Sequence, residues 1–197
     1  MHGLVFLSVT SFCRDMYGSE VLGRVLQNSG VDQAQFEPML SYEKAVLFRL
    51  MDGLSAELGK SHEDIAEDIG TYLVAHENCR AIRRLLRFAG HDFRDFIDGL
   101  DELPDRACLA LPDLKLPEID VAQTARQSFD ISIGQCLPWF CHVMIGVIRA
   151  MADDYGTLVF IGEVIASNDR KSIELVVIEQ DFTQGKEFAL GLQNGVI

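Results

Sequence analysis

The sequence changes character near residue 104, and this change limits the folds that the chain can adopt. Before this point, apolar residues recur every three or four positions, which is the spacing of a helix with one buried face. Ser19, Ser41 and Ser61 precede three of these stretches as candidate N-caps, and Gly30 and Gly59 follow two of them as stops. Two more predicted helices complete the first hundred residues, Cys79 to Ala89 and about Asp92 to Leu100.

The second part of the chain mixes strand formers with one long apolar helix. Pro112 and Pro117 interrupt a loop, and the helix predicted from Pro138 to Tyr155 is followed by Gly156. Three segments rich in β-branched residues are predicted to be strands: Arg126 to Ile133, Thr157 to Ala166 and Ser172 to Gln180. Turn residues at 167–170 should join the last two strands as a hairpin. Helices followed by an antiparallel sheet with one packed helix predict an α+β fold.

Charge and hydropathy argue against nucleic acid and membrane insertion. The chain has 17 Lys and Arg against 30 Asp and Glu, so its net charge of -13 repels phosphate backbones and anionic lipids. The longest apolar run, Leu137 to Met151, contains His142 and Arg149 and is shorter than the roughly 20 residues of a membrane-spanning helix. The first residues lack the basic region and cleavage site of a signal peptide. We therefore expect a cytoplasmic protein.

The cysteines and acidic residues form no familiar metal or catalytic motif. None of the five cysteines has zinc-ligand spacing, and we expect most of them to be small buried side chains. Asp64, Glu67 and Asp68 cluster on a helix face that is predicted to be exposed. Neither a phosphate-binding glycine loop nor a G-x-S-x-G nucleophile motif is present, so we expect a sensor or interaction domain and no enzyme.

An arginine stripe has two interpretations. Arg80, Arg83, Arg84 and Arg87 recur at the spacing of one helix face in an otherwise acidic chain. They could form a docking surface for an acidic partner, or the solvated side of an amphipathic helix that is held by ion pairs. The residues alone leave both interpretations open.

Several short motifs occur in the order and spacing of a known family. They run through about residues 1–180 without a gap, and they are Met1 to Val5, Cys13 to Gly18, Phe88 to Gly90, Leu100 to Arg106, Leu111 to Leu114 and Met144 to Val147. Together they resemble the H-NOX (heme nitric oxide/oxygen binding) family. The resemblance implies one domain over residues 1–180, with a helical subdomain (1–100) and an α/β subdomain (101–180). Residues 181–197 are then a tail or a connector.

The resemblance also places the family's heme site on this chain. H-NOX domains hold heme between their two subdomains with a proximal histidine and a Y-x-S-x-R motif that binds the propionates. Ungapped spacing puts the histidine position at Pro104 and the three motif positions at Ile133, Gln135 and Leu137. Pro117 matches a family proline near the heme. The implied cofactor is thus heme, at positions where the liganding residues have been replaced.

The replacements argue against ordinary heme binding. Proline offers iron no lone-pair nitrogen, and leucine in place of arginine removes a charge-assisted partner of the propionates. We therefore expect an H-NOX-like sensory or regulatory domain without His-ligated heme. The alternative is a nitric oxide or gas sensor in which His142 or another side chain ligates the heme. A third hypothesis is an enzyme acting on a small apolar substrate in the same cleft.

The resemblance implies a class of partner as well. H-NOX domains pass a conformational signal to a cyclase, a histidine kinase or a chemotaxis receptor. We expect a signalling protein of this kind as the partner, and neither nucleic acid nor a membrane.

Overall fold

The structure is a computed structural model that describes residues 1–31, 36–88, 90–167 and 169–186. Helices form the first part of the chain and an antiparallel sheet lies in the second, which confirms the predicted α+β fold. The helices that precede the sheet are α1 (Gly3–Tyr17), α2 (Ser19–Asn28), α3 (Lys44–Leu58), α4 (His62–Ala75), α5 (Arg80–Arg87), α6 (Phe93–Asp98) and α7 (Leu103–Ala110). A short 3-10 turn, Glu77–Cys79, leads into α5.

The sheet has four strands in the described residues, in the order β1-β2-β4-β3. The strands are β1 (Ile119–Ala125), β2 (Ser128–Ile133), β3 (Leu158–Ser167) and β4 (Arg170–Glu179), and α8 (Phe140–Tyr155) lies between β2 and β3 in the chain. All neighbouring strands pair antiparallel, and the predicted β3–β4 hairpin is confirmed. Asn168 in its turn lies outside the described residues, as do Ala89 and the part of the predicted tail beyond Lys186.

The helix ends follow the predicted caps in some places and depart from them in others. Ser61 accepts a hydrogen bond from the Asp64 backbone N–H at 3.0 Å, and Gly59 ends α3 with a φ of 64°. In contrast, α3 begins at Lys44 and the prediction of Ser41 as its cap is wrong. Ser41 instead forms a β-bridge with His2, and this pairing with the N-terminus keeps residue 41 extended.

The described residues form two apolar cores. The helical core is built mainly by α1 to α4, and the mixed core by α5 to α8 together with the inner face of the sheet. Helices α4 and α8 join the two cores at a close crossing. A Cβ on Gly70 would lie 2.1 Å from the Val143 carbonyl oxygen, and one on Gly146 would lie 2.1 Å from that of Glu67. Glycine is therefore required at both positions for the helices to approach this closely.

Candidate functional site

Pro104 lies in the first turn of α7 and is half-buried. Proline is accommodated there because the first N–H groups of a helix have no intrahelical partner. The preceding residue, Leu103, is buried in the mixed core together with Ile133. Half a turn later, Arg106 donates a hydrogen bond to the carbonyl oxygen of Gly99. Position 104 therefore begins a helix and presents no nitrogen that could ligate a metal.

Sheet register brings two of the family positions, Pro117 and Ile133, to one end of the sheet. Ile119 in β1 lies opposite Ile133 in β2, and the N–H of Gly134 donates to the carbonyl oxygen of Glu118 at 2.9 Å. Because the strands are antiparallel, Pro117 lies beside the chain segment that leaves β2. The loop containing Pro117 thus follows the edge of the segment that carries the family motif positions.

The first two motif positions have opposite environments. Ile133 is completely buried in the mixed core. Gln135 is exposed, and its side-chain amide donates to a carboxylate oxygen of Asp169 at 3.3 Å. One position is therefore part of the core, whereas the other belongs to the surface.

The third motif position, Leu137, packs against the helical core instead. Its neighbour Trp139 is buried in that core as well, with its ring 4.9 Å from the Phe48 ring and 5.5 Å from the His62 ring. The segment that leads into α8 thus crosses from the mixed core to the helical core. Apolar side chains make this connection.

The family positions do not fit a His-ligated heme. Pro104, Ile133, Gln135 and Leu137 carry neither an imidazole nor a guanidinium. Within the described ranges, no three His, Cys, Asp or Glu side chains come together in a way that could hold a metal ion. Two cations of the described residues lie nearby: Lys171 pairs with Ile133 across the strands and donates to the Pro138 carbonyl oxygen, and Arg170 donates to the hydroxyl and carbonyl oxygens of Ser132. The sequence analysis missed this lysine because it belongs to a distant strand.

Two cysteines flank the same segment. Cys136 and Cys141 are five positions apart in the chain and lie close enough to affect each other's thiol pKa. Burial, reinforced by the neighbouring Cys136, raises the pKa of the Cys141 thiol to about 12. The thiolate, which is the form that binds metals, is therefore strongly disfavoured at neutral pH.

His142, the possible substitute ligand, lies in a different place from the family positions. Its Nδ1 is 3.5 Å from a Glu67 carboxylate oxygen, and Arg149 donates to the other oxygen of Glu67 at 2.8 Å. Glu67 is therefore engaged by two side chains of α8, in contrast to its predicted place on an exposed face. These groups border an open cavity of about 530 Å³, whose lining is completed by Ile145 and residues 160–164 of β3. None of Pro104, Pro117, Ile133, Gln135 and Leu137 lines it.

The arginine stripe includes a buried charge cluster that sequence analysis missed. Arg83 and Arg87 approach the Asp154 carboxylate to 2.8 and 3.1 Å, and the Asp154 side chain is only 2% exposed. The Arg87 guanidinium also lies 3.9 Å from the centre of the Tyr155 ring. Ion pairs were one of the two interpretations of the stripe, but on a solvated helix face. Asp154 is instead buried. We refer to Arg83, Arg87 and Asp154 as the α5–α8 charge cluster.

The family model described as Haem-NO-binding matches residues 2–163. Among curated proteins, soluble guanylate cyclase gcy-31 of Caenorhabditis elegans is 24% identical over 181 residues, which are 92% of this chain and 24% of that protein. The chain thus spans about a quarter of the length of this relative.

Solved H-NOX structures share the fold. An S. oneidensis H-NOX protein in the Fe(II)NO ligation state has a TM-score of 0.74 at 16% identity and covers 90% of this chain and 99% of its own. An oxygen-binding H-NOX domain related to soluble guanylate cyclases has a TM-score of 0.71 at 16% identity, and the match covers 95% of this chain and 100% of that domain. These similarities extend over nearly all of both chains, including the sheet and α8.

The fold and the matched region define a sensor domain of the H-NOX type. The chain belongs to the Haem-NO-binding family. Members of this family are sensor domains that are not themselves catalytic, so this chain is a sensor domain and not an enzyme. Among the helices described, none has the length and apolar character needed to cross a membrane.

Proposed function

We propose that this chain is a cytoplasmic sensory or regulatory domain that relays the state of a ligand or partner to a signalling protein without using a His-ligated heme. The observation that carries the proposal is the chemistry of the family's heme positions. Pro104 begins a helix, Ile133 is buried and Leu137 packs on an apolar core. The family fold is kept around positions that no longer supply a ligand or a propionate clamp.

The relay part of the proposal is supported by how the chain leaves the domain. After β4, the Thr183 N–H donates to the Gly156 carbonyl oxygen at 3.1 Å, and the Lys186 N–H donates to that of Asp154 at 2.9 Å. Arg87 of the α5–α8 charge cluster donates in turn to the Lys186 carbonyl oxygen. A shift of α5 or α8 would therefore be transmitted to residues 181–186. We propose a cyclase, a histidine kinase or a chemotaxis receptor as the class of protein that receives the signal.

A heme reconstitution experiment tests the first part. The purified chain is mixed with hemin, unbound hemin is removed, and the absorption spectrum is measured. We expect no stoichiometric Soret band from the parent protein. The variant that combines Pro104→His with Leu137→Arg should bind heme at least about tenfold more tightly, because an imidazole and a charge-assisted propionate partner are restored together.

The matched control is Pro104→Ala combined with Leu137→Gln, which changes the same two positions but adds neither ligand nor cation. It should bind heme no better than the parent. A stoichiometric Soret band from the parent would contradict the proposal. Equal heme affinity of the His/Arg variant and its control would show that these positions do not form a heme site.

One observation favours heme with altered ligation as a second candidate. His142 borders the 530 Å³ cavity, and the Glu67 carboxylate near its Nδ1 is the kind of acceptor that orients a ligating imidazole. If His142 ligates iron, the parent protein should show a Soret band that is lost in His142→Ala. His91→Ala, a change at a surface histidine, serves as the control and should keep the band.

A further inference from the structure

A small cavity of about 140 Å³ lies between α6, the β1–β2 turn and the end of β4. Its floor is formed by Phe129 and Val177, which belong to the mixed core. Its polar lining consists of Arg94, Arg126, Gln127 and Gln180. The chain carries 30 acidic residues, yet the lining contains two guanidinium groups and no carboxylate. This is an unusual local reversal of charge.

Arg126 is the less constrained of the two arginines. It is exposed, and no carboxylate of the described residues lies within 4 Å of its guanidinium group. Arg94 is held in place, because its guanidinium lies 5.5 Å from the centre of the Phe129 ring and its nearest acidic partner is Asp98 at 3.8 Å. The Asp98 side chain is 57% exposed, so water screens its effect on Arg94.

The turn that carries Arg126 is fixed by its own hydrogen bonds. The Arg126 carbonyl oxygen accepts from the Arg94 guanidinium at 3.3 Å and from the Gln123 side-chain amide at 3.0 Å. The Gln123 amide also donates to the Ala125 carbonyl oxygen at 2.9 Å, and its own oxygen accepts from Arg94 at 2.9 Å. The Arg94 guanidinium and the Arg126 backbone are therefore held together before any ligand arrives, so only the Arg126 side chain has to become ordered on binding.

We propose that this cavity binds a small oxyanion, either a phosphate group or a carboxylate group. A guanidinium presents a planar set of donors that matches both groups, and its hydrogen bonds to them are charge-assisted. The Gln127 and Gln180 amides supply further donors from the side of the sheet. The volume suits a single phosphate or a short carboxylic acid, and it excludes a nucleotide. The ligand would bridge α6, the β1–β2 turn and the end of β4.

Anion titration of the full chain tests the proposal. Sodium phosphate or sodium acetate is added at an ionic strength kept constant with sodium chloride, and backbone amide shifts are followed by NMR. We expect saturable shifts centred on Arg126, Gln127 and Gln180 for at least one of the two anions. Tighter binding of phosphate assigns the site to phosphoryl ligands, and tighter binding of acetate assigns it to carboxylates.

Variants then separate this site from general anion binding. Arg126→Gln should raise the dissociation constant of the anion by roughly tenfold, the usual effect of losing one charge-assisted hydrogen bond. It should not disturb folding, since the Arg126 side chain is exposed and outside the turn's hydrogen bonds. Arg80→Gln is the matched control, because this exposed arginine lies on α5 and lines neither cavity. It should bind as the parent does.

Three results would each overturn the proposal. The first is the absence of saturable shifts with both anions. The second is an Arg126→Gln variant that binds the anion as tightly as the parent. The third is an Arg80→Gln variant that loses as much affinity as Arg126→Gln. None of these results depends on whether the chain binds heme, so failure here is distinguishable from failure of the proposed function.

Discussion

The family's heme positions and the α5–α8 charge cluster show opposite ways of filling the interior of the same domain. At the positions that the resemblance assigns to the heme site, Ile133 and the neighbour of Pro104, Leu103, are buried in the apolar mixed core. At the junction of α5 and α8, a buried carboxylate and two arginines are present, although such charges are costly to bury.

The difference separates residues that serve a cofactor from residues that serve the fold. A propionate clamp is needed only when heme is bound, so a domain that binds no heme would lose no stability without it. The carboxylate of Asp154 is different, because removing it would leave Arg87 largely buried beside it without this partner. Asp154 also lies where the backbone of residues 183–186 returns across the end of α8. Three mutations test this contrast.

The largest effect is expected from Asp154→Asn. This change keeps the side-chain shape but removes the charge between two arginines, and breaking a buried ion pair on one side costs about 4 kcal/mol. The free energy of unfolding, measured by urea denaturation, should fall by about that amount. Asp153→Asn is the control, since this neighbouring carboxylate is exposed, and it should change little. Similar losses in both variants would contradict a structural role for the cluster.

A smaller but still large effect is expected from Ile133→Ala. If apolar packing has replaced the heme site, this change leaves a cavity and should lower the free energy of unfolding by about 3 kcal/mol. Ile148→Ala is the matched control, because Ile148 is equally buried in the same core. The two variants should lose similar stability in the same denaturation experiment. A loss of less than about 1 kcal/mol at Ile133 alone would indicate an open cleft there, because truncation would then leave little new cavity.

Much of the fold could be predicted from the sequence, because its signals are local. The capping serine at 61, the stop at Gly59 and the β3–β4 hairpin each depend on residues close together in the chain. Strand β1 was missed because Asp120, Ala122 and Ala125 are poor strand formers and dilute the signal of Ile119 and Val121. The start of α3 was predicted too early in the chain. Ser41 pairs with His2, which is distant in sequence, and the helix begins only at Lys44.

The candidate site was harder to predict for the same reason. The resemblance could assign Pro104, Ile133, Gln135 and Leu137 to family positions, and that assignment stays a prediction. What surrounds those positions comes from residues that are far away in sequence. Lys171, which pairs with Ile133 across the strands, is an example. Sequence spacing also gave no means of placing His142 beside Glu67 in a separate cavity.

The smallest effect is expected from Gln135→Ala, two residues from the buried Ile133 in the same family motif. Gln135 is exposed, and the hydrogen bond from its side-chain amide to Asp169, at 3.3 Å, is open to water. The free energy of unfolding should therefore change by less than about 0.5 kcal/mol, as is usual for surface positions. Thermal and urea denaturation measured beside Ile133→Ala would check this. If both changes lowered the free energy of unfolding equally, the motif would be acting as one structural unit. If only Ile133→Ala lowered it, core packing alone would constrain the segment, and exposed positions such as 135 would be free to vary.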